Sequence, residues 1–154
     1  MTQEQKDLLF QDLCARLPYG VQCEIGGLRY GPYTFTGSDV EDLFSGRLFK
    51  PYLRPMESMT EKELREFAKL KFKNNDVWEI DEFLEMKFGF RGFINIKCRN
   101  RNSGDTWIYQ VSTRTPLETY WGIDWLNANG FDYRGLIPMG LALEAPKDMY
   151  NIKI

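Results

Sequence analysis

The sequence predicts an α+β fold, with about four helices packed on antiparallel hairpins in a single domain covering residues 1–154. Capping boxes, in which Thr is followed three residues later by Gln or Glu, mark helix starts at Thr2, Thr60 and Thr115. Apolar residues alternate with polar ones on both sides of the turn at 102–105, which is typical of a β-hairpin. A chain of 154 residues, 43% of them hydrophobic and 27% charged, is long enough to bury the core of such a domain.

Four segments carry the apolar spacing of an amphipathic helix. Each has a start or stop signal: Pro18 and Gly20 end the first, Gly89 is a natural left-handed terminator of the third, and Gly130 ends the last. The sequence therefore predicts helices over about 3–17, 60–73, 77–88 and 116–128.

The first predicted hairpin joins residues 21–25 to residues 28–35 through Gly26 and Gly27, which supply the positive φ that a tight loop needs. Pro32 interrupts the second strand and has no N–H to donate, so that strand is bulged or lies at a sheet edge. Residues 37–59 are expected to be an irregular but ordered connector, because they are rich in large apolar side chains.

The second hairpin joins residues 93–100 to residues 106–112. If Arg101 lies opposite Thr106, the two strands agree on which residues share a face. One face then carries Ile94, Ile96, Cys98, Trp107, Tyr109 and Val111, and the other carries Asn95, Lys97, Arg99, Ile108 and Gln110.

The chain contains no histidine, which excludes Ser-His-Asp and Cys-His dyads and His-ligated metals, so any catalysis would use carboxylates, Lys, Tyr or Cys. Cys14, Cys23 and Cys98 suit neither a disulfide framework nor a metal clip and indicate reduced thiols in a cytosol. The N-terminus lacks an apolar signal region, and the longest nearly apolar run, 135–143, is broken by Pro138. We expect a cytoplasmic protein with no membrane segment, catalytic residue, metal or cofactor.

Residues 87–101 hold five cations and no acid, beside three phenylalanines. A basic strand with aromatic neighbours is one way to bind single-stranded nucleic acid, and Lys97, Arg99 and Arg101 are the candidate contacts to such a ligand or to another partner. The alternative is that these three cations form the solvated face of a sheet. The net charge of −2 and a missing second stacking aromatic favour the solvated face.

Acidic residues crowd the predicted helix over 77–88, where Asp81 and Glu85 share one face beside Glu79 and Glu82. Two acids on one face are able to hold a divalent ion or to act as an acid and a base. They lie opposite the apolar stripe, however, where an amphipathic helix keeps its charges. A solvated helix face is the favoured interpretation, and a carboxylate-based hydrolase is the less favoured one.

Three blocks of sequence, at residues 12–20, 50–60 and 124–150, resemble a family of small uncharacterised proteins encoded by phages and prophage-like elements of gut bacteria. The blocks read DLCARLPYG, KPYLRPMESMT and DWLNANGFDYRGLIPMGLALEAPKDMY. The resemblance implies a mobile-element origin and a bacterial cytoplasm, and it brings no catalytic residues. The segment from about 75 to 113 departs from the family pattern, which suggests a family-variable insertion containing the second hairpin.

The aromatic content, 4 Trp, 8 Tyr and 11 Phe, exceeds what a domain of this length readily buries and predicts an aromatic contact patch. With the missing catalytic constellation, it favours a non-enzymatic interaction protein that modulates a host or phage protein. The alternatives are a nucleic-acid-binding accessory protein using the 93–112 hairpin and the hydrolase.

Overall fold

A computed structural model describes residues 1–26, 32–88, 92–113 and 120–150. The α+β fold class is confirmed. Its helices are α1 (Gln3–Arg16), α2 (Val40–Phe44), α3 (Glu61–Lys69) and α4 (Tyr120–Ala128). Its strands are β1 (Gln22–Ile25), β2 (Tyr33–Thr34), β3 (Phe49–Leu53), β4 (Trp78–Lys87), β5 (Phe93–Asn100), β6 (Thr106–Ser112) and β7 (Leu143–Glu144).

The chain divides into two compact units. Unit 1 comprises residues 1–55 and 126–154, and unit 2 comprises residues 56–125. The strands of unit 2 all lie within residues 75–113. The extent of one domain over 1–154 and the insertion at 75–113 stay predictions.

Unit 1 is built on a sheet of order β2-β1-β3-β7, in which only the β3–β7 pair is parallel. The capping box predicted at Thr2 begins α1, because Thr2 accepts a hydrogen bond from the Gln5 backbone and the Gln5 side chain bonds back. Of the two alternatives predicted for the strand that contains Pro32, a bulge or a sheet edge, the structure shows the edge, since β2 lies at one end of the sheet. The core contains Leu9, Leu13, Val21, Cys23, Ile25, Phe35, Phe49, Leu53, Leu136, Leu141 and Ala142.

The prediction of an irregular connector over 37–59 is wrong, because β3 is an inner strand of this sheet. Phe49, Pro51 and Leu53 alternate inward, but Pro51 and Pro55 conceal that pattern in the sequence. The Gly26 N–H to Leu48 carbonyl bond fixes the ladder so that Pro51 and Cys23 form a non-hydrogen-bonded pair. The missing N–H of Pro51 therefore removes no bond to β1.

Unit 2 has a three-stranded antiparallel sheet of order β4-β5-β6, with α3 lying against β5. The capping box at Thr60 forms as predicted, and the predicted inward residues Leu64, Phe67 and Ala68 are buried. They are joined in the core by Met56, Met59, Ile94, Ile96, Cys98 and Val111.

The prediction of a helix over 77–88 is wrong, since β4 occupies that segment. Two register shifts, between Ile80 and Glu82 and between Phe83 and Met86, add extra residues to β4. As a result, inward residues three apart on β4 face inward residues two apart on β5. The pairs are Ile80 with Cys98, Phe83 with Ile96, and Met86 with Ile94. Apolar residues therefore recur every three residues along β4, which is close to the 3.6-residue period of a helix. This is why the sequence predicted a helix here.

The β5–β6 hairpin has the predicted strands but not the predicted register, because Thr106 lies opposite Arg99 rather than Arg101. The shift is two residues, so every side chain stays on its predicted face. Parts of three predictions lie outside the described residues. These parts are residues 27–31 of the first hairpin, residues 89–91 of the basic segment, and the start of the helix at 116–128 with its capping box at Thr115.

Candidate functional site

The three cations predicted as contacts each lie beside a carboxylate of β4. Arg99 Nη2 is 2.9 Å from Asp81 Oδ1, and Lys97 Nζ is 3.7 Å from Asp81 Oδ2. Arg101 Nε is 3.3 Å from Glu79 Oε2. Local negative charge therefore offsets the positive charge that would attract a phosphate backbone.

Trp107 and Tyr109, the aromatic residues of β6, lie on the opposite face of the sheet from Lys97 and Arg99, whereas the partly buried Phe93 of β5 shares the face of these two cations. Lys97 lies opposite Ile108, whereas Trp107 and Tyr109 lie opposite Cys98 and Ile96, on the face that α3 covers. Single-stranded nucleic acid is usually held by rings and cations that act on the same strand. This arrangement does not favour the nucleic-acid alternative.

The acids singled out in the sequence do not form the predicted face of a helix, because β4 is extended. Asp81 instead pairs with Lys97 and Arg99 of β5, and Glu79 pairs with Arg101 just after that strand. Glu82 lies opposite Lys97 in the ladder. Nor do three or more acidic or cysteine side chains gather into a metal-binding group within the described ranges.

A shallow cavity of about 330 Å³ opens where the turn after α3 meets the first residues of β4. Its lining is Lys69, Leu70, Phe72, Lys73, Glu79, Ile80 and Arg101. A carboxylate-based hydrolase needs two acids in one pocket, and this cavity supplies one, Glu79.

Among the described residues, the strand β6 forms one edge of the sheet in unit 2, and β4 forms the other. Two bonds at the ends of the β5–β6 ladder, Asn100 N–H to the Asp105 carbonyl and Thr113 N–H to the Gly92 carbonyl, fix its alternation. Trp107, Tyr109 and Val111 therefore bond to β5 through their backbone. The N–H and C=O groups of Thr106, Ile108 and Gln110 point away from β5, and no backbone partner faces them among the described residues.

The two edges of this sheet differ in their protection against further pairing. The edge at β4 carries two bulges and several charges, which are common ways to block strand addition. From Thr106 to Ser112, β6 is regular and contains no charged residue and no proline. It is therefore open to a further strand.

Large apolar side chains stand exposed along β6. Trp107 is 65% exposed, Ile108 57% and Tyr109 37%. Tyr109 packs against the rest of unit 2, with its ring in edge contact with Phe72 and the Lys71 ammonium 5.2 Å from its centre. We call these three side chains, with the outward backbone of Thr106, Ile108 and Gln110, the β6 edge surface. The sequence assigned Trp107 and Tyr109 to the face of Ile94, Ile96 and Cys98, but alternation alone does not reveal where α3 stops covering that face.

Unit 1 contains a buried polar cluster that sequence reasoning missed. Arg16 and Asp12, both fully buried, form a two-bond ion pair on α1, and Arg16 also donates to the Phe131 carbonyl at 2.7 Å. Arg134 lies in the C-terminal part of the chain, and its Nη1 donates to Asp12 Oδ1 at 2.7 Å. Arg16 Nη1 is buried without a hydrogen-bond partner among the described residues.

Next to this pair, Asp132 accepts hydrogen bonds from the backbone of Leu136 and Ile137. Burial raises the pKa of Asp132, while the two N–H groups act in the opposite direction. Tyr133 donates to Asn127 and lies under both arginines of the cluster. All these groups hold chain segments in place, so we assign the cluster to structure rather than to chemistry.

Comparison with protein-family models, with curated proteins and with solved structures finds no match. None of the helices in the described ranges is long and apolar enough to cross a bilayer.

Proposed function

We propose that the protein is a non-enzymatic interaction module that modulates a host or phage protein, and that it receives an extended segment of that protein at the β6 edge surface. One observation carries this proposal: β6 is an unprotected edge strand with exposed aromatic side chains. In strand addition, main-chain hydrogen bonds provide affinity, and alternate side chains provide specificity.

The side chains of the β6 edge surface suit such an interaction. Tryptophan and tyrosine are enriched among the residues that contribute most to protein interfaces, because they bury a large area at a small cost in side-chain entropy. Tyr109 is already fixed by Phe72 and Lys71, so little of its freedom remains to be lost on binding. Trp107 offers the larger exposed surface.

Replacing Gln110 by proline tests this proposal. The Gln110 N–H points away from β5, so Gln110→Pro removes an outward donor while leaving the β5–β6 ladder intact. Gln110→Ala is the matched control, because both changes remove the side-chain bond to Asn95 and only the proline removes the N–H. Equal thermal unfolding midpoints of the two variants, measured at a concentration low enough that both are monomeric, would show that the fold tolerates proline.

Tagged protein is used to capture partners from a lysate of a gut bacterium. We expect one stoichiometric protein with the unaltered chain and with Gln110→Ala, and its loss with Gln110→Pro. Recovery of no stoichiometric partner, or of the same partner by all three proteins, would contradict the proposal. The bacterial cytoplasm and the mobile-element origin are part of this proposal, and they rest on the resemblance of the three sequence blocks.

A further inference from the structure

We infer that a second copy of this chain occupies the β6 edge surface when no other strand does, so that the protein forms a symmetric dimer through antiparallel β6–β6 pairing. The inference rests on the proposed function only in that both use the same edge. A second copy is the occupant that β6 itself favours, because the outward N–H and C=O groups of one β6 are able to pair with the same groups of another.

The backbone of β6 permits a symmetric register centred on Ile108. A two-fold axis at Ile108 places this residue opposite Ile108 of the second copy, and it places Thr106 opposite Gln110. These are the three residues whose N–H and C=O groups point away from β5. Each hydrogen-bonded pair exchanges two bonds, so roughly six new backbone hydrogen bonds would join the two sheets.

The same register matches the exposed side chains. Trp107 lies opposite Tyr109 of the second copy in a non-hydrogen-bonded pair, where Cα atoms approach to about 4.5 Å and side chains contact most closely. The pair occurs twice, once on each side of the axis. On the other face, Ile108 meets its own counterpart. All three exposed large apolar side chains of β6 would thus be covered at once.

Two further observations favour this pairing: β6 carries no charged residue, and shifting the axis along β6 loses the aromatic pairs. No charged residue occurs between Thr106 and Ser112, so no like charges face each other across the axis. Moving the axis to Gln110 would place Trp107 opposite Thr113 and give up both aromatic pairs. The β4 edge offers no such interface, because its bulges interrupt the ladder and its Glu79, Asp81, Glu82 and Glu85 would repel a second copy.

Sedimentation equilibrium of the full chain tests the dimer, from low micromolar to near millimolar concentration. We expect a dimer for the unaltered chain and for Gln110→Ala, and a monomer for Gln110→Pro. Ile108→Lys provides a second variant that keeps every N–H, since it places two ammonium groups opposite each other across the axis, and it too should be monomeric. An unaltered chain that stays monomeric at the highest concentration, or a Gln110→Pro variant that dimerises equally, overturns the inference.

Cysteine cross-linking tests the register itself, in a Cys14→Ser background that removes the partly exposed native thiol. Ile108→Cys should give a disulfide-linked dimer under mild oxidation, because the axis brings the two Cα atoms to about 5.5 Å, within the range of a disulfide. Gln110→Cys is the control, since its counterpart lies several residues away along the pair. Cross-linking of Gln110→Cys in preference to Ile108→Cys overturns the proposed register.

The dimer and the proposed function fail in different ways. A monomeric chain that still loses its lysate partner on Gln110→Pro overturns the dimer alone. A dimer that Gln110→Pro abolishes, with lysate capture unaffected by that change, overturns the partner site at β6 alone.

Discussion

Asp12 and Arg16 form a hydrogen-bonded ion pair in which neither side chain is exposed to solvent. They lie one turn apart on α1, on the stripe that also carries Leu9 and Leu13 into the core. Through Arg134 and the Phe131 carbonyl, the pair connects the first helix of the chain to its C-terminal segment. The cost of removing one member should therefore far exceed that of an exposed pair.

We expect Arg16→Met to lower the free energy of unfolding by about 3–5 kcal/mol, because it leaves the Asp12 carboxylate buried without its main partner. Arg65→Met on α3 is the matched control. Arg65 and Glu61 also form an ion pair at i, i+4, but both are exposed, and its loss should cost less than about 1 kcal/mol. Urea unfolding of both variants measures the difference. Equal losses would mean that the buried pair contributes no more than a surface pair.

Sequence patterns between neighbouring residues correctly predicted the helix starts and the hairpin that such short-range patterns determine. The capping boxes at Thr2 and Thr60 and the alternation of β5 and β6 are confirmed because each depends on neighbouring residues alone. The nature of β4 could not be predicted in this way, since its bulges are defined by pairing with β5 and give the strand a helical spacing. Asp12 and Arg16 did leave a signal, two charges within an apolar stripe.

The β6 edge surface was predicted only in part. An aromatic surplus indicates that some rings are exposed, and the alternation assigns Trp107 and Tyr109 to one face. Which strand ends the sheet, and how far α3 extends over it, depend on contacts between segments that are distant in sequence. The ion pairs of Lys97, Arg99 and Arg101 likewise required β4 to be a strand beside β5.

These ion pairs give a prediction for the nucleic-acid alternative. We expect no salt-sensitive binding of single-stranded DNA near physiological salt, because the acids of β4 offset the three cations. Asp81→Asn should raise the affinity measured at low salt, since it frees both Lys97 and Arg99. Fluorescence anisotropy of a labelled oligonucleotide measures both. Salt-dependent binding by the unaltered chain that is lost when Lys97, Arg99 and Arg101 become Ala would instead support nucleic acid as the partner.

The buried thiol of Cys23 should make the folded protein less stable at alkaline pH. Burial raises the pKa of its thiol to about 12, and the charges of Asp39 and Asp12 act in the same direction. Below its ordinary pKa of 9.0 the thiol is protonated in both states. As pH rises from there toward 12, the unfolded chain loses the proton and the folded chain does not, so stability falls.

Between about pH 8 and about pH 10.5 this thiol should remove roughly 1–2 kcal/mol from the free energy of unfolding. Tyr150, whose pKa burial raises to about 12, acts in the same direction, so the comparison needs a variant. Cys23→Ala loses packing at both pH values but should show a smaller alkaline loss than the unaltered chain. Identical alkaline losses in urea unfolding would contradict the buried, neutral thiol.

Gly130 and Gly140 have the same φ of +74° but different surroundings. Substituting each by alanine therefore separates the cost of a strained backbone from the cost of a steric clash. A Cβ atom at Gly130 would lie 2.7 Å from the ring of Tyr150, whereas at Gly140 it would meet nothing within 4 Å among the described residues. We expect Gly140→Ala to cost about 1 kcal/mol for the left-handed backbone alone. Gly130→Ala should cost clearly more, since Tyr150 is also held by its hydrogen bond to the Tyr52 carbonyl. Combining Gly130→Ala with Tyr150→Ala should remove the excess, because the three atoms nearest to the added Cβ all belong to the Tyr150 ring. Unfolding midpoints of Gly130→Ala and of Gly140→Ala, each compared with its glycine parent in the presence of Tyr150 and of Tyr150→Ala, measure this, and an excess that survives Tyr150→Ala would show that Gly130 is required for another reason.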